Sequence, residues 1–300
     1  MPGESTENGG EDLAMDMAAG TLSPEIDAEH LQVLAARLEA ERGFDLLGFK
    51  PRLLRRRLIS RLRLRDCPNL ETYLRLLEAD PEEEANLLRT LTIHVSGFFR
   101  NVETFDYLRE RVFPGLIRRK RVSGEGLSLL SAGCAEGEEP YSLALMLGRH
   151  FGRELAGMSR RIIGIDVDEG VVARARLGVY EQDRIADLPG PYRRLFHRRG
   201  ELWELDEGIR REVEFEVQDL KRGIPHRNLD LVLCRNVLIY FKRESQKRIL
   251  AGLSEALAPG GLLVLGKTES LLREMLSGFR VLDLSEHVYC KAGEEPCGWR

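Results

Sequence analysis

Leu127-Ser-Leu-Leu-Ser-Ala-Gly-Cys-Ala-Glu-Gly-Glu-Glu-Pro-Tyr-Ser142 is the stretch from which the fold of this chain is read. Leu127 to Ala132 is a short apolar run with the length and character of a buried strand. Gly133-Cys-Ala-Glu-Gly137 is a bend rich in small residues, and Pro140 suits the first turn of a helix. Leu143, Ala144 and Leu147 then recur at helical spacing. A strand, a glycine bend and a helix in succession bring backbone close to a nucleotide-like ligand. The next apolar run, Arg161-Ile-Ile-Gly-Ile-Asp166, ends on a carboxylate. In dinucleotide folds an acidic residue there takes the ribose hydroxyls, about 20 residues after the glycines. Here 29 residues separate Gly137 from Asp166, so the first helix and its connection must run long. No G-x-G-x-x-G is present, and Ala135 occupies the middle glycine position. That pattern argues against a bound pyrophosphate and for a nucleoside without phosphates.

Strands and helices alternate onward from this point. Ile162–Asp166 is the second strand, with a helix around Val171–Arg176 behind it. Val213–Val217 and Leu229–Cys234 are the third and fourth strands, and Glu244–Leu257 is a helix. Leu262–Leu265 is the fifth, and Phe279–Leu284 with His287–Lys291 reads as an antiparallel pair at the sheet edge. The fold class is therefore α/β, a doubly wound sheet closed by a hairpin. Gly178–Arg211 is too long for a simple connection. Leu202, Trp203 and Leu205, with Asp206-Glu-Gly208 as a turn, mark a small inserted β-subdomain at about 180–211.

Upstream, the patterns are helical from residue 23 to 123, which reads as an all-α N-terminal domain ahead of a domain at 124–292. Residues 1–22 are Gly-, Glu- and Ser-rich with little to bury, a composition that predicts a disordered leader, and 293–300 is a tail. Between Lys50 and Arg65 stand eight cations and no acid. Leu54, Leu58 and Leu62 fall on one stripe, while Arg52, Arg56 and Arg63 group opposite. Two readings stay open: a solvated helix face, or a docking face for an acidic partner. The chain as a whole carries a formal net charge of −4, which argues against a nucleic-acid coat. No apolar run approaches 18 residues and the N-terminus lacks a basic-then-apolar signal, so no membrane insertion is expected. Five cysteines without CxxC spacing read as reduced thiols of a cytoplasmic protein, and neither they nor the six histidines suggest a metal site.

Three segments in order resemble the CheR-type chemotaxis receptor methyltransferases: Phe98-Phe-Arg100, the bend with Gly137-Glu-Glu-Pro-Tyr-Ser142, and Cys234-Arg-Asn-Val-Leu-Ile-Tyr-Phe241. The resemblance covers about residues 24 to 292. It implies a helical N-terminal domain joined to a Rossmann-like class I methyltransferase domain with a small β-subdomain. It also implies transfer of a methyl group from S-adenosylmethionine to glutamate side chains of receptor signalling helices, leaving S-adenosylhomocysteine. Carried over position by position, it makes His94, Ser96, Arg100, Gly133, Gly137, Glu139, Asp166, Asp219, Leu220, Arg235 and Asn236 cofactor-binding candidates. Arg100 and Tyr240 become candidates beside the transferring methyl, and Arg52, Arg56 and Arg63 candidates for substrate docking. The chain departs from the commoner family pattern in having His94, Ser96, Asp219 and Gly266-Lys-Thr-Glu-Ser270 where Asn, Thr, Asn and Gly-His-Ser-Glu-Asn are usual.

The chemistry suits these residue types. A glutamate carboxylate, with a reference pKa of about 4.3, is ionised at neutral pH and needs no general base. Its attack on a sulfonium neutralises charge, so a water-poor site favours it. What remains is alignment, worth on the order of 7–11 kcal/mol in well-oriented reactions. Arg100 is expected to steer the substrate carboxylate, and Tyr240 to pack or hydrogen-bond near the methyl. The expected partner is the acidic helical bundle of a chemoreceptor, met by a monomer. Two rivals stand beside this reading. A nucleic-acid methyltransferase is disfavoured because Arg235-Asn236-Val237 is not the Asp/Asn-Pro-Pro-aromatic run of base amino-methylation. A non-catalytic cofactor- or partner-binding scaffold is the other.

Overall fold

The computed structural model describes residues 24–92 and 96–293. His94 and the expected leader at 1–22 lie outside them, as does the tail beyond 293. The chain divides into two compact units, Met1–Ile93 and His94–Arg300.

Among the described residues of the first unit four α-helices follow one another: α1 (Ala28–Arg42), α2 (Pro51–Leu64), α3 (Leu70–Ala79) and α4 (Pro81–Leu91). Their starts are chemically specified. Asp27, Asn69 and Asp80 accept backbone N–H bonds as N-caps of α1, α3 and α4, and proline opens α2 and α4. Leu34, Leu38, Leu58, Leu62, Leu70, Tyr73 and Leu87 are fully buried. A polar knot is buried with them. Glu83 receives Arg61 through Nε at 2.6 Å, the Tyr73 hydroxyl at 2.6 Å and Arg65 at 2.9 Å. The basic helix is therefore not uniformly a surface feature. Arg61 and Arg65 are committed to Glu83, and Arg57 donates to the Thr90 carbonyl, whereas Lys50, Arg52, Arg55, Arg56 and Arg63 are exposed.

The second unit opens with α5 (Val102–Tyr107), a π-helical turn (Leu108–Val112) and α6 (Phe113–Ser123). The sequence reading drew its domain boundary at residue 123; the structure draws it at 93. The reason is packing: Phe105, Leu108, Val112, Phe113, Leu116 and Ile117 share one core with Leu129, Leu143 and Leu147.

The strands are β1 (Leu127–Ala132), β2 (Arg160–Asp166), β3 (Val179–Tyr180), β4 (Phe196–Arg199), β5 (Leu202–Leu205), β6 (Val213–Val217), β7 (Leu229–Cys234), β8 (Leu257–Leu265), β9 (Phe279–Asp283) and β10 (Val288–Lys291). Seven form one sheet in the order β6-β2-β1-β7-β8-β10-β9. The first five run parallel, with Leu129 opposite both Ile162 and Leu231, and β10 pairs antiparallel with β8 and β9. Apolar clusters on both faces bury this sheet, which explains the apolar runs at 162–165 of β2 and 231–234 of β7. The helix α7 (Glu138–Phe151) follows β1, α8 (Glu169–Leu177) follows β2, and α9 (Arg243–Ala256) lies between β7 and β8. The insertion is a separate three-stranded antiparallel sheet, β3-β5-β4. Cys67, Cys134 and Cys234 are buried free thiols. No helix among the described residues is long and apolar enough to cross a membrane.

Candidate functional site

Successive strands run outward from β1 through β2 to β6, and then return to β7 on its other side. In open α/β sheets ligands bind at such a reversal, outside the carboxyl ends of the strands. The candidates Gly133, Gly137, Glu139, Asp166, Asp219, Arg235 and Asn236 all follow or end strands β1, β2, β6 and β7 at that edge.

The bend after β1 is held in an unusual backbone. Gly133, Ala135 and Gly137 all have positive φ, at 76°, 48° and 91°. A Cβ at Gly133 would strike Val237, and one at Gly137 would lie 2.9 Å from Phe215 and 3.1 Å from Tyr141. Both glycines are therefore required, and Ala135 sits in a conformation that suits glycine better. Its partner is Asp166, whose carboxylate accepts the Ala135 N–H at 3.0 Å and the Asp168 N–H at 3.2 Å. Those bonds fix the carboxylate between the bend and the turn after β2.

Across the reversal point, Glu139 and Arg235 meet. The Glu139 carboxylate accepts the Ser131 hydroxyl at 2.8 Å and Arg235 Nη1 at 3.0 Å. Arg235 Nη2 donates to the Arg100 carbonyl at 2.6 Å and to Asn101 Oδ1 at 2.9 Å, and its guanidinium lies over the Phe105 ring. Only 2% of the Arg235 side chain is exposed, so this residue braces the Phe98-Phe-Arg100 loop from within. The loop itself is tightly constrained. Phe99 and Asn101 have φ of 52° and 59°, uncommon for residues other than glycine. Ser142 accepts the Phe99 N–H at 2.9 Å, the Phe99 ring stacks on Tyr192, and Phe98 packs edge-on against Tyr180 and Phe196. The inserted sheet thus supports the loop that presents Arg100, whose side chain is exposed.

Other candidates take more local roles. Asp219 caps the 3-10 turn Leu220–Arg222, accepting the Lys221 N–H at 2.9 Å, with Lys221 Nζ 3.6 Å away. That lysine balances the charge introduced where asparagine is usual. Leu220 is buried in an apolar cluster, so its side chain packs and can offer a ligand only backbone. Tyr240 ends the 3-10 turn Leu238–Tyr240 and is half-buried. Lys267 donates to the Ser285 carbonyl at 2.9 Å and pairs with Glu286, which also accepts the Thr104 hydroxyl. Ser96 lines a cavity of about 640 Å³ with Phe99, Arg109, Arg184 and Tyr192, and none of Glu139, Asp166, Asp219, Arg235 or Asn236 belongs to that lining. Sequence reasoning missed Ser142, Asn101 and the aromatic props of the insertion. Ser142 was within reach, because it closes the motif that decided the fold.

The residues fit a phosphate-free, cationic nucleoside. Their acceptors are carboxylates, which suit hydroxyl and ammonium groups and repel phosphate. Asn236 Oδ1 is a buried acceptor without a hydrogen-bond partner, at the end of β7 where a ligand donor is wanted. Among the described residues no group of three or more His, Cys, Asp or Glu is arranged to hold a metal ion.

Residues 29–92 match the all-alpha domain of CheR methyltransferase, and residues 94–288 match its SAM binding domain. A chemotaxis protein methyltransferase of Listeria innocua is 29% identical over 261 residues, covering 87% of this chain and 97% of that one. Chemotaxis protein methyltransferase 2 of Pseudomonas aeruginosa is 32% identical over 271 residues, covering 88% and 93%. An uncharacterized 104.1 kDa protein of Rhodobacter capsulatus is 33% identical over 293 residues; this chain spans 31% of its length.

Proposed function

The chain belongs to the CheR methyltransferase family, and on that premise we propose that it methylates glutamate side chains of a chemoreceptor's cytoplasmic helical bundle. Bound S-adenosylmethionine would supply an electrophilic methyl on a sulfonium, and the product would be a glutamate methyl ester. Asp166 would take the ribose hydroxyls, its orientation set by the Ala135 and Asp168 N–H groups. Asn236 and the carboxylates of Glu139 and Asp219 would complete the acceptor set.

The observation that carries this reading is the Arg235 bridge. One buried guanidinium ties Glu139, behind the glycine bend, to the backbone and side chain of Arg100-Asn101. The loop that presents Arg100 is thereby fastened to the edge where the nucleoside would lie. An exposed Arg100 can attract the incoming carboxylate and orient it while leaving an oxygen lone pair to attack. A bidentate clamp would blunt that nucleophile, so the role assigned is steering. Tyr240 would pack or hydrogen-bond beside the methyl. No residue needs to act as a base.

Docking would fall to Arg52, Arg56 and Arg63 of α2, which are exposed as the helical wheel requires. Like charge on that face would favour an acidic helix and would act mainly on encounter rate.

The test is transfer of labelled methyl from S-adenosylmethionine to receptor cytoplasmic fragments. Label released as methanol by mild base identifies a carboxyl ester. Base-stable label would instead point to nitrogen, and absence of transfer to any receptor fragment would leave the scaffold reading standing.

A further inference from the structure

We propose that Glu269 is a positioning residue, a buried carboxylate that moulds the cofactor-facing loop after β7; this rests on the function argued above. Glu269 is 5% exposed, and among the described residues no arginine or lysine pairs with it. Instead its carboxylate collects backbone N–H groups. Oε2 accepts from Asn236 and from Gly266, both at 2.7 Å. Oε1 accepts from Val237 at 2.8 Å, Leu238 at 2.7 Å and Ile239 at 3.3 Å.

Four consecutive amides, from Asn236 to Ile239, therefore converge on one side chain. A carboxylate at backbone donors forms the shorter, charge-assisted kind of hydrogen bond. The consequence for the site is geometric. Asn236 is held at φ 60°, a left-handed conformation that asparagine tolerates better than most residues, with its buried Oδ1 left for a ligand donor. The same grip starts the 3-10 turn that ends on Tyr240. One carboxylate thus sets both an acceptor for the nucleoside and the tyrosine assigned to the methyl.

Gly266 shows how closely the loop is fitted around this group. A Cβ there would lie 2.6 Å from Glu269 Oε2 and 2.7 Å from the Asn236 nitrogen. Any larger residue would have to push the carboxylate off its donors. Gly266 and Glu269 then act as one device, three residues apart in sequence and closed by the Glu269 N–H on the Gly266 carbonyl at 2.9 Å.

Glu269→Gln keeps the size but offers one acceptor oxygen and turns an NH2 group toward amide donors. Calorimetric titration with S-adenosylhomocysteine should show affinity weakened at least tenfold, and amide exchange at residues 236–239 should accelerate while β1 and β2 stay protected. Gly266→Ala should produce the same pair of changes without altering charge. A purely structural role would lower the melting temperature and leave the affinity of the folded protein unchanged, which would overturn the proposal. So would normal exchange at 236–239 in a folded Glu269→Gln variant. Should both variants fail to fold, the wild-type chain decides: amides 236–239 must exchange more slowly than those of neighbouring loops, and rapid exchange there refutes the clamp. Failure of the wild-type chain to bind S-adenosylhomocysteine would sink the functional reading, while the exchange comparison would still judge the clamp.

Discussion

Asp166 and Arg235 show how single side chains serve two ends at once. Asp166 stabilises a bend containing three positive-φ residues and ends β2 at the sheet edge where a ribose would bind. Hydrogen bonds to charged groups are worth about 1.5–3 kcal/mol each, so Asp166→Ala should cost roughly 10- to 100-fold in S-adenosylmethionine affinity, read by calorimetry. Ala135 is the strained member of the bend. Ala135→Gly should leave thermal stability within about 1 kcal/mol of wild type despite the added chain entropy, because glycine adopts φ 48° freely. Arg235 gives a sharper test. Arg235→Met leaves the Glu139 carboxylate without its buried partner and should destabilise by about 3–5 kcal/mol in denaturant titration. Adding Glu139→Leu should restore much of that stability without restoring methyl transfer. Recovery of transfer in the double variant would mean that the pair is structural only.

At the scale of elements, what the sequence showed and what it hid follow from physics. Strands β1, β2 and β7 were legible because burial on both faces gives each a short apolar run. The starts of α3 and α4 are marked in the sequence by the capping residues Asn69 and Asp80, with proline behind Asp80. The allegiance of α5 and α6 was not legible, since an apolar stripe states that a helix is buried and not against what. The basic run on α2 was misleading for the same reason. Eight cations look like one surface, yet Arg61 and Arg65 point inward to Glu83, which lies on another helix. That knot makes a prediction about pH. Burial raises the Glu83 carboxyl, but the bonds from Arg61 and Tyr73 outweigh it and hold the group below the usual glutamate value. A folded pKa lower than the unfolded one gives stability that is present above about pH 4.3 and lost as pH falls through the folded value. Amide exchange of residues 70–91 in the full chain should therefore accelerate as the pH is lowered below that point, after correction for intrinsic rates. Glu83→Gln should raise exchange in this unit at neutral pH and remove much of the acid dependence.

For the molecule as a whole, the glycine bend and Asp166 announced the fold class, and the family resemblance supplied the site residues. Neither gave the strand order, because sheet order is a property of long-range pairing. Only the order β2-β1-β7 explains why Glu139 and Arg235, 96 residues apart, can share an ion pair. Docking is also a property at this scale. Raising ionic strength, or making Arg52→Glu, Arg56→Glu and Arg63→Glu together, should raise KM for a receptor fragment several-fold and leave S-adenosylmethionine affinity unchanged. An unchanged KM would make that face ordinary solvated surface. The central claim, that the edge of the sheet at the β1–β7 reversal holds the methyl donor, is tested most directly by calorimetric titration. S-adenosylmethionine and S-adenosylhomocysteine should each bind the wild-type chain at a single site, and the Asp166→Ala variant should bind both far more weakly. Equal binding by the variant would put the cofactor elsewhere, and no binding by either protein would contradict the account outright.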